Sequence, residues 1–506
     1  MEQHLPVLAI VVPLIAAPLC VLIRQRTLVF GTAITVCWAT FAMTALLLLR
    51  VVYCDGGDLT TPTANEVTYQ MGGWLAPWGI EYRIDSLSVF MLVIVSGIGA
   101  VVLSYAPLSS AREIYREQHY LFCAAYLLCM AGLLGILVTG DLFNLFVFLE
   151  ISSLSSYALI SLGARQSRKA LTAAFQYLVM GTIGATFILI GIGLLYQVVG
   201  TLNMADMSSR LSENGEAFNK VVLVALAFLT VGISLKMALF PLHAWLPGAY
   251  AYAPSVITAF LAATATKVSV YILLRLVFTV IRPELALQLV PLDKGLMLLS
   301  LIGIFVASTA AIYQKNIKRM LAYSSVAQIG YIALGISLAS VSGLTAAIVH
   351  LLNHAMIKGG LFLAMGCIAY RLGSVEIDDL RGIGRRMPVT MFAWLLGGLG
   401  LIGVPTTAGF ISKWYLVGAA LEKGWWPVAG LILIGSLLAL IYVWRVVEIA
   451  YFQSPVESSD PVTEAPLAML VPTWVLIGAS LFFGLQTSFS VDVARRAAEM
   501  LLGVVS

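Results

Sequence analysis

Long apolar runs recur along the whole chain and are separated by short polar segments. Each run has the length, about 20 residues or more, that a helix needs to cross the hydrocarbon core of a bilayer. The pattern predicts fourteen membrane-spanning helices, which we number as spans 1 to 14, at roughly 5–23, 28–52, 84–107, 119–139, 141–162, 170–198, 220–250, 255–281, 293–313, 319–340, 343–370, 388–422, 427–452 and 466–487. Spans 7 and 12 are too long for one straight crossing, and both contain prolines.

The predicted fold class is an all-α polytopic membrane protein, because a bilayer core leaves no room for unpaired backbone groups. The connection between spans 2 and 3 contains "EVTYQMGGWLAPWGIEYRID", in which short alternating runs flank "APWG". This pattern predicts one small outer β-hairpin. The composition agrees, since 60% of the residues are hydrophobic and only 11% are charged, whereas a soluble domain carries about 25% charge.

The basic residues of the connections indicate an orientation. Most of them lie on one side of the predicted bundle, for example Arg165, Arg168 and Lys169, whereas the opposite side, which includes Arg282, holds fewer. Cytoplasmic loops carry the excess of positive charge, so the first side is predicted to be cytoplasmic. Both termini then face outward, and the expected location is the inner (plasma) membrane with periplasmic termini. The N-terminal run is expected to be a span rather than a cleaved leader.

The net charge and the cysteine pattern argue against several classes of function. The net charge of +4 gives no reason to expect nucleic acid as a partner. The six cysteines contain no Cys-x-x-Cys pair, and nearly all lie in apolar segments, where a free cysteine behaves as a small hydrophobe. They are Cys20, Cys37, Cys54, Cys123, Cys129 and Cys367. Haem, iron–sulfur and zinc sites are therefore not expected, and no cofactor is predicted on this chain.

Several ionisable residues fall inside the predicted spans, where a charge at the bilayer centre costs at least about 2.5–3.5 kcal/mol. They are Glu150, Lys236, Lys267, His350, His354, Lys358 and Lys413. Four others lie nearer the helix ends, where long side chains are expected to extend to the interface: Arg50, Arg275, Arg445 and Glu448. One buried charge is compatible with a staple between helices, but so many in one chain indicate a function.

Glu150, Lys236 and Lys267 lie on spans 5, 7 and 8, and Glu150 is the only carboxylate deep in any predicted span. Burial favours the neutral form of a lysine, whereas a nearby carboxylate favours the charged form. A lysine whose proton affinity depends on a moving partner can therefore carry protons. A static ion pair remains an alternative. A Schiff-base chromophore on one lysine would not explain the other charges.

The run "IVHLLNHAMIKGG" in span 11 places His350, His354 and Lys358 at intervals of four residues, on one face of a helix. Histidine titrates near neutral pH, so three such groups in line indicate a proton relay. A single histidine would more simply be a packing residue. A metal site is less favoured, because no carboxylate or cysteine lies nearby in sequence.

Prolines are expected to break two of the spans close to a lysine. Pro241 and Pro247 follow Lys236, and Pro405 precedes Lys413. Each proline removes a backbone donor, and its ring obstructs the carbonyl four residues earlier. Freed carbonyls at membrane depth are tolerated only beside protein or water, so a hydrated cavity is expected next to Lys236.

Paired broken helices are typical of inverted-repeat transporters. Spans 4–8 and spans 9–13 are predicted to form two such five-helix units. The chain then divides into an N-terminal part with spans 1–3 and the hairpin, the two repeats, and a C-terminal part with span 14 and a short tail, at 1–118, 119–281, 293–452 and 453–506.

Five motifs, in order along residues 80–450, resemble those of the antiporter-like proton-conducting subunits. The motifs are "TGDLFNLFVFLE", "LKMALFPLHAWLPGAYAYAPS", "TATKVSVY", "LNHAMIKGGLF" and "GLIGVPTTAGFISKWY". That family is shared by Mrp-type multisubunit cation/proton antiporters, respiratory complex I and membrane-bound hydrogenases. The amino-acid sequences of the first two motifs are most similar to those of the Mrp D subunit.

The resemblance implies a hydrated central axis of proton transfer through the spans. Matched residue by residue, this axis comprises Glu150, Lys236, Lys267, His350, His354 and Lys413. The glutamate would tune Lys236, and His243 matches a family histidine just after the first break. The lysine at position 413 favours an Mrp D or another lysine-bearing member, since one complex I subunit has a glutamate there.

The expected function is that of a proton-conducting subunit in a multisubunit monovalent cation (Na⁺)/proton antiporter. Its expected partners are other membrane subunits, protons, Na⁺ and the lipid bilayer, and the chain itself is not expected to be an enzyme. Two alternatives remain open. One is the proton-pumping membrane arm of a quinone oxidoreductase or hydrogenase, and the other is the proton channel of an inorganic-carbon transporter.

Overall fold

The computed structural model describes residues 2–53, 66–281, 283, 286, 291–454 and 462–504. Cys54 and Arg282 lie outside these residues. Within them, thirteen helices are long and apolar enough to cross a membrane. The predicted span 12 is present as two shorter helices, so the fourteen predicted spans all have a counterpart.

Eleven of the spans are uninterrupted helices close to their predicted bounds. Spans 1 to 6 are Leu5–Ile23, Arg26–Tyr53, Ser86–Glu113, His119–Val138, Leu142–Ser161 and Lys169–Val199. Spans 9, 10, 11 and 13 are Leu292–Ile312, Ile317–Ser337, Val341–Leu372 and Trp426–Phe452. Span 14 is likewise a single helix, Leu467–Leu485, with Pro472 inside it.

Spans 7 and 12 are broken as predicted. Span 7 consists of helix 7a, Met204–Met237, and helix 7b, Trp245–Tyr252, with Pro241 between them. Helix 7a begins earlier than expected, at Met204, where the Asn203 side chain accepts hydrogen bonds from two backbone N–H groups. Span 12 consists of helix 12a, Pro388–Ile402, and helix 12b, Ala408–Glu422, with Pro405 between them.

The predicted break at Pro247 is wrong. Pro247 lies in the first turn of helix 7b, after the break. The first backbone N–H groups of a helix have no partner within the helix, so a proline there removes no hydrogen bond. Pro241 and Pro405 therefore mark the interruptions, and Pro247 belongs to the helix that resumes.

Span 8 is also interrupted, although nothing in its sequence indicated a break. Helix 8a, Ser255–Ala263, ends at Thr264, whose φ of −122° and ψ of −57° are not helical. Helix 8b, Ala265–Leu274, continues as a π-helical segment, Arg275–Val280. Lys267 lies in the first turn of helix 8b, so this interruption also falls beside a candidate lysine.

The predicted hairpin is present. Strands β1, Val67–Gln70, and β2, Glu81–Ile84, pair antiparallel with Val67 opposite Ile84. His4 and Tyr69 are hydrogen-bonded at 3.0 Å between Nδ1 and the hydroxyl, so the start of span 1 lies beside the hairpin. We call this side of the bundle the hairpin end and the opposite side, which carries Arg165 and Lys169, the basic end.

A C-terminal helix, Ser488–Leu502, follows span 14 and was not predicted. It packs against spans 3 and 11 at the hairpin end. It is amphipathic and carries Arg495 and Arg496, so it lacks the long apolar run by which a span is recognised.

Span 11 forms the centre of the bundle. Its most apolar stretch is 100% buried, and those of spans 8 and 10 are each 94% buried, whereas the corresponding stretches of spans 2, 6, 9 and 13 are only 28–39% buried. His350, His354 and Lys358 on span 11 and Lys267 on span 8 are therefore inside the protein rather than at its lipid-facing surface.

Glycines allow the two halves of span 12 to approach each other. A Cβ atom at Gly409 would lie 1.9 Å from the carbonyl oxygen of Gly400, and one at Gly484 of span 14 would lie 2.4 Å from the carbonyl oxygen of Thr406. Both neighbours are backbone atoms, which cannot move aside as a flexible side chain can. The geometry of the second break thus depends on these glycines.

We expect Gly409→Ala to lower the free energy of unfolding by about 1–3 kcal/mol, because the added methyl group overlaps the Gly400 backbone. Thermal unfolding of the detergent-solubilised protein measures the change. Gly418→Ala on the same helix is the matched control, since a Cβ there meets no atom within 4 Å. Equal losses in the two variants would contradict the close approach of helices 12a and 12b.

Candidate functional site

Glu150 and Lys236 form an ion pair between spans 5 and 7. The Lys236 Nζ lies 3.6 Å from Glu150 Oε1, longer than a hydrogen bond, and donates a 2.7 Å hydrogen bond to the Ser153 hydroxyl. The Lys236 side chain is 5% exposed and that of Glu150 is 27% exposed. Lys236 lies in the last turn of helix 7a, where the partial negative charge of the helix end stabilises a cation.

A cavity of about 20 Å³ adjoins Lys236. Its polar lining comes from Lys236, Tyr177, Ser269 and three serines of span 5, and Ala265 and Val268 of helix 8b close its other side. A cavity holds a water molecule when it offers about 10–15 Å³ and two or more polar partners, and this one offers both. The cavity leads from Lys236 towards the helix that carries Lys267.

Lys267 is fully buried beside the interruption of span 8. Its ammonium group donates hydrogen bonds to the carbonyl oxygen of Ala262, at the end of helix 8a, and to the Thr266 hydroxyl. The carboxyl end of a helix presents carbonyl groups without partners, and a cation satisfies them. Lys267 also interacts electrostatically with His354 and Lys358 of span 11.

The two histidines of span 11 have different surroundings. His350 is held by two hydrogen bonds, at 2.7 Å from Nδ1 to the Ser412 hydroxyl and at 2.8 Å from Nε2 to Gln328 Oε1. His354 is 1% exposed, yet neither of its ring nitrogens has a hydrogen-bond partner among the described residues. The two ring centroids lie 6.1 Å apart. A buried polar group without a partner needs an explanation, and a bound water molecule is the ordinary one.

Lys413 caps the carboxyl end of helix 12a. Its Nζ donates to the carbonyl oxygens of Leu401 and Ile402, each at 2.9 Å, and to the Ser436 hydroxyl at 3.0 Å. The ammonium also lies 4.8 Å from the centre of the Tyr331 ring, within the range of a cation–π contact. Tyr331 contacts His350 as well, with ring centroids 6.1 Å apart, so it joins the second break to the histidines.

Lys358 and His243 are less closely connected to the other candidates. Lys358 is fully buried and donates hydrogen bonds to the carbonyl oxygen of Leu321, at 2.8 Å, and to the Ser324 hydroxyl of span 10. His243 is half-buried within the first break and stacks on Phe240 with ring centroids 5.5 Å apart. Within the part of the chain that the structure describes, its Nδ1 has no hydrogen-bond partner.

The candidates fall into two groups, and Lys267 lies on span 8, which packs against both span 7 and span 11. Glu150 and Lys236 form the first group, beside the cavity that reaches span 8. His350, His354 and Lys413 form the second group, around Tyr331 and Ser412. The hydroxyl and amide groups that join the candidates were not predicted, because serine, tyrosine and glutamine are common in membrane helices and their partners are remote in sequence.

Four further buried charges lie away from these groups. At the basic end, Glu113 accepts hydrogen bonds from the backbone N–H and the hydroxyl of Ser255, each at 2.6 Å, and Lys318 donates to the carbonyl oxygen of Ala253 at 3.2 Å. These two side chains hold the connection between spans 7 and 8.

At the hairpin end, Arg275 pairs with Asp85 at 2.5 Å and is 7% exposed. The expectation that Arg275 extends to the interface is therefore wrong. Its position near a helix end in the sequence did not indicate that Asp85 and Ser88, at the start of span 3, pair with it.

Comparison with known proteins identifies a family. Residues 139–439 match the model of the family described as "NADH:quinone oxidoreductase/Mrp antiporter, TM". This interval contains every candidate residue from Glu150 to Lys413.

Two curated relatives cover nearly the whole chain. The N subunit of the NADH-quinone oxidoreductase of Desulforudis audaxviator is 42% identical, with 94% of each chain covered. The D subunit of the Na(+)/H(+) antiporter of Bacillus subtilis is 29% identical, with 98% of this chain and 97% of the relative covered.

A chain in the solved structure of the Mrp complex from Dietzia sp. has the same fold. The TM-score is 0.87 and the identity 26%, over 99% of this chain and 97% of that one. Family match, relatives and fold agree, and the chain belongs to the NADH:quinone oxidoreductase/Mrp antiporter family of membrane proteins.

Proposed function

We propose that this chain is the proton-conducting subunit of a multisubunit monovalent cation (Na⁺)/proton antiporter. One observation carries the proposal: ionisable groups follow one another from the half-buried Glu150 through the buried Lys236, Lys267, His354 and His350 to Lys413. A cavity with room for water lies at the first gap, and an imidazole without partners lies further along. The likeness to the D subunit of a Na(+)/H(+) antiporter and to the Mrp complex supports the antiporter form of the proposal.

Proton transfer in this proposal uses the changing charge of the lysines. Glu150 stabilises the charged form of Lys236, and movement of the carboxylate away from the ammonium would favour release of the proton. Water in the adjoining cavity accepts it and passes it towards Lys267. From there the proton moves through His354 and His350 to Lys413, while His243 and Lys358 have auxiliary roles.

The proposal also includes the orientation of the protein in the membrane and its location in the cell. The basic end is cytoplasmic and the hairpin end periplasmic, in accordance with the distribution of arginine and lysine. The protein lies in the inner membrane beside other membrane subunits, which take part in cation movement. Spans 4–8 and 9–13 act as inverted repeats, a proposal supported by the break of the fourth span in each unit.

A second candidate is the membrane arm of a redox-driven proton pump. The 42% identity to the N subunit of an NADH-quinone oxidoreductase favours it. The same series of residues would conduct protons in either assembly. The two candidates differ in what drives the protons, since in the second case the chemistry takes place on other subunits.

We expect Lys236→Ala and Glu150→Ala to abolish the pH change that Na⁺ drives in inverted membrane vesicles. Either variant removes one partner of the Glu150–Lys236 ion pair from the start of the proton path. A pH-sensitive fluorescent dye measures the exchange, and blue native electrophoresis of the assembly checks that it is intact. Lys423→Ala, at an exposed lysine beyond the end of helix 12b, is the control and should leave the exchange unchanged. Normal exchange in an assembled Lys236→Ala complex would refute the path.

The driving force separates the two candidates. We expect addition of Na⁺ to inverted vesicles that contain the assembly to produce a pH change, and addition of NADH to produce none that depends on Lys236. The comparison uses wild type and Lys236→Ala under both conditions. A pH change that requires NADH and Lys236, without any response to Na⁺, would instead establish the redox-driven pump.

A further inference from the structure

A cluster of polar side chains closes around Arg275 at the hairpin end of span 8. The Arg275 Nη2 donates hydrogen bonds to Asp85 Oδ1 at 2.5 Å and to the Ser88 hydroxyl at 2.8 Å, and Nε donates to the Tyr271 hydroxyl at 2.9 Å. Asp85 also accepts a 2.9 Å hydrogen bond from the backbone N–H of Ser88, so it caps the start of span 3. All four residues are buried.

The Tyr271 hydroxyl extends the cluster to a third span. It donates a 2.9 Å hydrogen bond to the carbonyl oxygen of Leu137, in the last turn of span 4, and lies 2.9 Å from the Ser88 hydroxyl. The ends of spans 3, 4 and 8 are therefore tied together through hydrogen bonds from side chains. Removal of any one partner leaves a buried polar group unsatisfied, which makes the arrangement costly to open.

The cluster lies directly between Lys267 and the hairpin end. Tyr271 and Arg275 follow Lys267 by four and eight residues and share its helical face. At 1.5 Å per residue, Arg275 lies about 12 Å beyond Lys267 along the helix. A proton that left Lys267 along this face would have to pass both side chains.

The cluster has the chemistry of a barrier. An arginine guanidinium does not release its proton in a protein, so it cannot act as a relay. The single proton of Tyr271 is directed to a backbone carbonyl, which cannot pass it on. The Asp85 carboxylate is itself engaged by the guanidinium and by the backbone N–H of Ser88.

A second arginine occupies a comparable place at the basic end. Arg445 of span 13 donates hydrogen bonds to the carbonyl oxygens of Ile312 and Gln314, at 2.7 Å and 2.9 Å, where span 9 ends. Spans 8 and 13 are the last helices of the two five-helix units, and spans 4 and 9 are the first. In each five-helix unit, the arginine near the end of the last span therefore helps to hold that span against the carboxyl end of the first span of the unit.

We propose that the Asp85–Arg275–Tyr271 cluster seals the hairpin end of span 8, so that protons on Lys267 pass to span 11 and are not released directly to that side. This inference rests on the proposed function, since it assumes that Lys267 carries protons. Arg275 is a positioning residue here: it holds three helix ends together and does not itself carry the proton. Without the seal, the exchanger would leak protons in the absence of Na⁺.

The test is passive proton leak. The purified assembly is placed in liposomes with a pH-sensitive dye inside, equal K⁺ on both sides, valinomycin and no Na⁺, and the decay of an imposed pH step is followed. We expect Arg275→Gln to leak several-fold faster than wild type, and Tyr271→Phe to leak faster to a smaller extent. Addition of Lys267→Ala to Arg275→Gln should return the leak to the wild-type rate. A merely structural role of Arg275 would not produce a leak that depends on Lys267.

Arg50→Gln is the matched control, because Arg50 is exposed in the last turn of span 2, and its leak should equal that of wild type. A wild-type leak in assembled Arg275→Gln would overturn the seal, as would a fast leak that persists after Lys267→Ala. If Arg275→Gln does not assemble, Tyr271→Phe decides, and a wild-type leak in that variant overturns the proposal. Failure of the proposed function is recognised separately, by Na⁺-driven exchange that survives Lys236→Ala.

Discussion

The constraint on which the structure depends is the fate of backbone carbonyls at interrupted helices inside a membrane. Each carboxyl end of a helix leaves carbonyl groups without partners, and hydrocarbon cannot satisfy them. In this protein lysines lie at the interruptions of spans 7, 8 and 12. Lys267 and Lys413 donate to the carbonyls that end helices 8a and 12a, and Lys236 lies in the last turn of helix 7a. The same interaction that makes the breaks tolerable thus holds titratable cations at membrane depth.

This coupling explains why a structural interpretation and a functional interpretation of the lysines are not exclusive. A lysine that caps a helix end is stabilised in its charged form by the partial charge of that end. A carboxylate adds to this stabilisation at Lys236, whereas hydroxyl groups and an aromatic ring surround Lys413. The proton affinity of each lysine is set by a different neighbourhood, so small movements of the half-helices change the affinities relative to one another.

The sequence predicted the features that have a local cause. Apolar length located the spans, Pro241 and Pro405 located two breaks, and the alternation around "APWG" located the hairpin. The interruption at Thr264 has no such local cause, since no glycine or proline lies beside it.

Partners that are remote in sequence could not be predicted either. The pairing of Arg275 with Asp85 joins residues 190 positions apart, and the ties of His350 to Gln328 and Ser412 depend on how three spans pack. The sequence alone indicated which charged residues fall inside apolar runs, because such a charge is visible without any knowledge of its neighbours.

His354 has a consequence of a different kind. His350 and the buried lysines have hydrogen-bond partners, whereas neither ring nitrogen of His354 has one among the described residues, which makes it a point of local frustration in the interior. Because no hydrogen bond to a described residue fixes either nitrogen, a change of tautomer at His354 breaks none. The most buried helix of the bundle thus carries an imidazole whose tautomer is not set by the surrounding side chains, between the lysine of span 8 and the histidine that leads to span 12.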